Sequence, residues 1–256
     1  MNSKLFISAI IILGLACIVY FVSKAAIKPR INNIQNTAKM CTLESNMNTP
    51  LKIESPIPFG YKSAWLAIKT NDSNAVVKSL GLTRIRDANW STGLEVANNT
   101  NGEVFVTCPL DEWVLVIGLS LPDSGDSERP DKITPILKKL SGEFGEALYF
   151  GSHRVVDFYA WAKLIDGKII REYAYLGEKG ETTWNIGEKS KEEIQLGFNF
   201  FDENSLEALE DGYWERTDLT YPNEDSVLGI SKLWSIDTTF EGKSYPPKNG
   251  IIGMLK

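Results

Sequence analysis

Val155–Leu176 reads VVDFYAWAKLIDGKIIREYAYL. Two runs rich in β-branched, aromatic and aliphatic residues flank Asp166-Gly167, a dipeptide suited to the left-handed backbone of a type I′ turn. A two-residue turn there sets Ile165 opposite Lys168, Lys163 opposite Ile170 and Trp161 opposite Glu172. In that register Lys163 and Glu172 lie diagonally on one face and can pair, worth about 0.2–1 kcal/mol. Both faces of the hairpin carry large apolar side chains. It therefore belongs inside a sheet with other structure packed on each side.

Upstream, Ala64–Thr70 alternates in polarity as a strand does. Asn71 and Asp72 offer an N-cap to a short helix over SNAVVKSL, and Gly81 offers its stop. Leu94, Val96, Val104 and Val106 flank Asn99–Gly102, which predicts a hairpin. Glu112–Leu121 is the most apolar stretch of the domain and reads as a central strand. Pro122–Pro130 reads as a loop. Ile133, Ile136, Leu137 and Leu140 follow helical spacing, with Pro135 in the first turn and a stop before Gly142. Downstream, Ser190 and Glu193 match a capping box, with Gly197 ending the helix. Asn223 precedes Val227, Ile230 and Trp234, the apolar stripe of another short helix. Strands outnumber helices, and long crossover helices are lacking. The fold class expected is α+β, a mainly antiparallel meandering sheet with short helices, following one N-terminal transmembrane helix.

Leu5–Val22 is an 18-residue run without a charge, long enough to span a bilayer core. Lys4 precedes it, and Lys24, Lys28 and Arg30 follow. A cleaved signal peptide would have a shorter apolar core and a small-residue cleavage site, whereas Ser23-Lys24-Ala25 carries a lysine. A lipoprotein would be modified at Cys17, but its surroundings are wrong for that signal. The run reads best as an uncleaved single-span anchor. The cations after the span favour a cytoplasmic domain by the positive-inside rule, while the three-residue polar start resembles an export signal. We take the second reading, an extracytoplasmic domain. Residues 1–30 are thus the anchor with its basic flanks, 31–58 a polar linker, and 59–256 a globular domain, whose segments 73–119 and 132–176 echo each other weakly. Cys41 and Cys108 could form one disulfide in an oxidising compartment; alternatively Cys108 is a small buried hydrophobe.

The chain of 256 residues has a formal net charge of −6. That charge is not spread evenly. Residues 1–30 carry four bases and no acid, and residues 181–240 carry 14 acids and four bases. The rest is balanced, at 19 acids and 19 bases. An acidic chain of this kind lacks the basic face of a nucleic-acid binder. The acid is densest over Asp202–Asp225, with nine acids and one base interleaved with Leu206, Leu209, Tyr213, Trp214, Leu219 and Tyr221. One reading is a solvated face. The other is a recognition face, in which acids steer a basic partner and aromatic anchors form the desolvated centre. Its candidate residues are Asp202, Glu203, Glu207, Glu210, Asp211, Trp214 and Asp218.

Chemistry-bearing motifs are sparse. No CxxC, HExxH or His pair points to a transition metal, and Asp202, Glu203, Asn204 and Glu207 lack the EF-hand spacing and its glycine. No metal, cofactor or catalytic residue is assigned. Ser152, His153 and Asp157 have the residue types of a triad, but neighbours on a strand face opposite ways, so His153 reads as structural. Paired carboxylates are numerous, and Trp161, Trp184, Trp214 and Trp234 could line a sugar cleft. An envelope hydrolase acting on glycan or lipid, through such a pair or through His153, is therefore the alternative reading. A structural envelope component tethered by the anchor is a further one.

The stretches YFGSHRVVDFYAWAKLIDGKIIREYAYLGEKGETTWNIGE (149–188) and LGFNFFDE (196–203) resemble a group of uncharacterised bacterial proteins. The resemblance carries no catalytic motif. By general type, small acidic anchored bacterial proteins without such motifs resemble immunity proteins, which bind and block a toxin. The expectation is a non-enzymatic, protein-binding domain. It would be held in the bacterial inner membrane by residues 5–22, face the periplasm, and take a basic protein such as a toxin as partner.

Overall fold

The computed structural model describes residues 51–256, so the expected span, Cys17 and Cys41 lie outside the described residues. Within residues 51–256 no helix is long and apolar enough to cross a membrane. The strands are β1 (Ser63–Lys69), β2 (Thr83–Ala88), β3 (Glu103–Val106), β4 (Trp113–Ile117), β5 (Glu146–His153), β6 (Phe158–Ile165), β7 (Lys168–Leu176), β8 (Glu181–Ile186) and β9 (Gly250–Met254). The helices are α1 (Ser73–Leu80), α2 (Trp90–Ala97), α3 (Thr134–Phe144), α4 (Lys191–Gln195) and α5 (Glu224–Trp234), joined by short 3-10 turns at Leu206–Leu209 and Tyr213–Glu215. The fold is α+β, as the sequence leads one to expect.

All strands lie in one sheet of order β2-β9-β3-β4-β1-β5-β6-β7-β8, and every ladder between them is antiparallel. From β5 to β8 the strands follow one another as a meander. The other half is assembled from distant segments, with β9 inserted between β2 and β3.

Alternation puts apolar side chains on both faces, and both are covered. On one face Trp65, Phe105, Leu115, Phe150, Trp161 and Tyr173 meet Trp90 of α2 and Val227, Ile230 and Trp234 of α5. On the other, Leu66, Ile68, Val116, Tyr149 and Leu164 meet Val76 and Val77 of α1 and Leu137 and Leu140 of α3. β4 is buried along its whole length, which fits its uninterrupted apolar sequence.

Several caps act as the sequence predicts. Asp72 accepts from the Ala75 N–H and Gly81 closes α1 in the left-handed region at φ 64°. Ser190 and Glu193 make a reciprocal capping box on α4, and Asn223 caps α5. Asp166 and Gly167 both have positive φ, 49° and 76°, as a type I′ turn requires.

Three expectations are corrected. Leu94 and Val96 are not on a strand; they lie on α2, capped by Asn89, whose side chain accepts from the Thr92 N–H. Gly93 decides this placement, because a Cβ there would sit 2.4 Å from the Phe105 ring. The glycine lets α2 lie directly on β3 at the cost of helix propensity. Second, the long hairpin slips by one residue at a bulge between Lys163 and Leu164, so Lys163 faces Arg171 and Trp161 faces Tyr173. The slip sends Lys163 and Glu172 to opposite faces. Lys163 pairs with Glu146 at 3.2 Å, and Glu172 accepts from the Thr134 hydroxyl at 2.9 Å. Third, α3 runs through Gly142 and ends at Gly145.

Candidate interaction surface

After α4 the chain passes along the free edge of β8 and covers it with side chains. The Glu203 carboxylate accepts from the Thr182 N–H and, at 2.8 Å, from its hydroxyl. Asn185 donates to Asp202 at 2.6 Å, and Asn204 donates to the Thr182 carbonyl at 3.1 Å. These bonds occupy groups that an open edge would offer to another strand. Phe201 N–H bonds the Thr220 carbonyl and Thr220 N–H the Asn199 carbonyl, which closes residues 199–220 into a loop with joined ends. Phe201, Tyr213 and Leu219 form its own small core.

On that core stand side chains directed outward. Trp214 stacks on Phe201 at 5.6 Å and 18°, yet is 52% exposed. Tyr221 contacts Phe201 at 5.0 Å and Tyr175 at 5.4 Å, and half of it is exposed. Leu206 and Leu209, on the first 3-10 turn, are 86% and 83% exposed. Four exposed large hydrophobics thus fall between Leu206 and Tyr221, a local concentration of apolar side chains in solvent.

The acidic residues around them fall into groups. Arg216 lies between Glu207 at 2.9 Å and Asp218 at 2.6 Å, and its Nε also donates to Asp218 at 3.0 Å. That bidentate grip holds the Asp218 carboxyl below its ordinary value. Asp202 and Glu203 face inward as the braces to β8. Burial, the largest influence, raises the Glu203 carboxyl, although the Thr182 hydrogen bonds oppose it. Glu210, Asp211 and Glu215 are exposed and have no ion-pair partner among the described residues. Of the residues named from the sequence, Glu210, Asp211 and Trp214 therefore form the free outer face, Glu207 and Asp218 clamp Arg216, and Asp202 and Glu203 anchor the loop. Leu206, Leu209 and Tyr221 belong to the face as well. Their signal in the sequence was apolar residues in an acidic run too short for an amphipathic helix, with Ser205 capping the turn.

The residues considered for catalysis do not assemble. Ser152 and His153 project to opposite faces of β5. Ser152 donates to Glu224 at 2.8 Å, while His153 lines a cleft on the other side. Asp157 accepts instead from the Tyr159 hydroxyl at 3.2 Å. Trp161, Trp184 and Trp234 are buried in the two cores and only Trp214 is exposed, so they form no shared sugar platform. A polar trench of about 520 Å³ holds Asp126, Asp131, Glu181 and Glu203, but each carboxylate accepts hydrogen bonds within the protein. Among the described residues no cluster of three or more His, Cys, Asp or Glu side chains is arranged to hold a metal ion. Cys108 is buried, and burial raises its thiol above the ordinary value.

Comparison with protein-family models, curated sequences and solved structures gives no match to this chain.

Proposed function

We propose that this protein is a membrane-tethered binding module whose acidic, aromatic loop captures a basic protein partner. The observation that carries the reading is the outer face of residues 199–220. Leu206, Leu209 and Trp214 stand in solvent on a closed, internally packed loop that also carries Glu210, Asp211 and Glu215, exposed carboxylates without an ion-pair partner among the described residues. Rigid aromatic and aliphatic anchors supply the desolvated centre of an interface, and rim charges supply steering and partner choice. Because the loop is closed by backbone hydrogen bonds, little ordering entropy is lost on binding. The apolar run Leu5–Val22 supports the tether. A basic toxin, neutralised by occlusion, is a partner of the fitting chemistry, and the bacterial inner membrane with a periplasmic domain is the corresponding location.

The test is a full-length chain carrying Glu210→Lys, Asp211→Lys and Glu215→Lys. These exposed side chains hold nothing in place, so the change in folding stability should stay within about 0.5 kcal/mol. Recovery of the partner in a pull-down should fall at least tenfold, and binding by the unaltered chain should weaken as salt is raised. Undiminished binding by the folded variant contradicts the proposal.

A further inference from the structure

A second feature, sharing no residue with the acidic loop, lies on the face of the sheet that packs against α1 and α3. Here the chain between β4 and α3 folds over the ends of β1, β5, β6 and β7 and encloses a cleft of about 240 Å³. An apolar cavity of about 150 Å³ already accepts a benzene ring. The walls include Leu119, Leu121, Val156, Phe158 and Leu176. Gly151 keeps the space open. A Cβ there would meet the Tyr149 hydroxyl and the Phe158 ring, each at 2.8 Å.

Most polar groups of this cleft can donate a hydrogen bond, and several have no partner among the described residues. The Tyr149 side chain is 1% exposed, and its hydroxyl has no hydrogen-bond partner among the described residues. It lines the cleft, with its hydroxyl beside the Cα of Gly151. Burial raises this phenol far above its ordinary value, so it remains an O–H donor. His153 enters from the same strand, its ring unbonded among the described residues. Arg129 is oriented by Asp126, which accepts from Nε at 2.7 Å, and by Asp123, which accepts from Nη1 at 3.3 Å. That leaves Nη2 unbonded among the described residues. Asp123 is the one carboxylate lining the cleft, and Arg129 with the Gly125 N–H satisfies it.

We propose that this cleft binds a small monocarboxylate with a compact apolar body, seated among the Leu121, Phe158 and Leu176 side chains, its carboxylate accepting from Tyr149, His153 and Arg129. A mostly apolar pocket with a few convergent donors is the common form of a small-ligand site. A carboxylate uses several donors at once, whereas an alcohol would leave most of them without a partner.

The experiment titrates the full-length protein with benzoate and 4-methylpentanoate, and with benzyl alcohol as the uncharged match, using calorimetry and saturation-transfer NMR. At least one carboxylate should bind, and benzyl alcohol should bind at least fivefold more weakly than benzoate. Tyr149→Phe keeps the ring and removes only the donor. It and His153→Ala should each weaken carboxylate binding at least fivefold while their melting curves match the unaltered chain. Absence of binding by both carboxylates, equal binding of the alcohol, or unchanged affinity in both folded variants would overturn the proposal. Competition with the partner of the acidic loop is not expected, so failure here leaves that separate reading intact.

Discussion

Glu172 is a carboxylate held where water scarcely reaches it. It is 1% exposed, under the first turn of α3, and the Thr134 hydroxyl donates to it at 2.9 Å. Burial is the largest influence on its carboxyl and raises it above the ordinary 4.5; the Thr134 hydrogen bond opposes that, and the nearby Asp131 adds to it. The sign of the consequence is fixed by proton linkage. Between the ordinary value and the raised one, the folded chain keeps a proton that the unfolded chain has released. Stability contributed by this group is therefore present at low pH and lost as pH rises through that window. Glu172→Gln keeps an acceptor for Thr134 and removes the titration. Its melting temperature relative to the unaltered chain should climb as pH rises above the ordinary carboxylate value of 4.5 and level off once the raised value is passed. Parallel curves over that range would show that Glu172 is not destabilised by its burial. From sequence alone Glu172 looked like the partner of Lys163, because the bulge that separates them leaves no local mark.

Arg171, the neighbour of Glu172 on β7, faces the other layer and fixes an element rather than a single contact. Its Nε reaches both Glu193 oxygens at 3.0 Å, and its Nη1 donates to Asn185 at 2.8 Å and to the Gly187 carbonyl at 3.1 Å. Trp161 donates to the same Glu193 at 3.0 Å. The capping residue of α4 is thus also the counter-ion that docks α4 on the sheet. Removing one partner of a buried pair leaves the other uncompensated, so Arg171→Ala should lose about 3–5 kcal/mol in urea unfolding. Adding Glu193→Gln should return part of that loss, a non-additivity expected of groups in direct contact. Strict additivity would mean that Arg171 acts through packing alone.

Elements with local signals were legible beforehand. Asp72, Ser190 with Glu193, and Asn223 announced their helices because a cap is written in neighbouring residues. α2 was not legible, since its Trp-Ser-Thr-Gly start is poor helix sequence and Gly93 serves Phe105, a residue on β3. Nor did the sequence show Arg171 as buried, because the residues that accept from it come from β8 and α4.

For the molecule as a whole, the meander from β5 to β8 follows chain order and was accessible to hairpin reasoning. The insertion of the C-terminal strand between β2 and β3 was not, because nothing local specifies pairing over such a separation. The acidic segment follows the same division. Its charge was plain in the sequence, but Arg216's position between Glu207 and Asp218, and the inward use of Asp202 and Glu203, depend on the closure of the loop. What remains outside is a small set of anchors and free acids. That set, not the net charge, is the basis of the binding proposal.

Site-specific photocrosslinking in intact membranes tests this most directly. A photoreactive side chain at Leu209 or Trp214 of the full-length protein reports what touches the loop; the same group at Ile85 or Val155, exposed sites on β2 and on the β5–β6 turn, reports background. The account predicts one discrete adduct, with a basic protein, from Leu209 and Trp214, absent from the other two positions and lost when Glu210→Lys, Asp211→Lys and Glu215→Lys are present. No adduct from the loop, the same adduct from all four positions, or an adduct that survives charge reversal in a folded chain would contradict it.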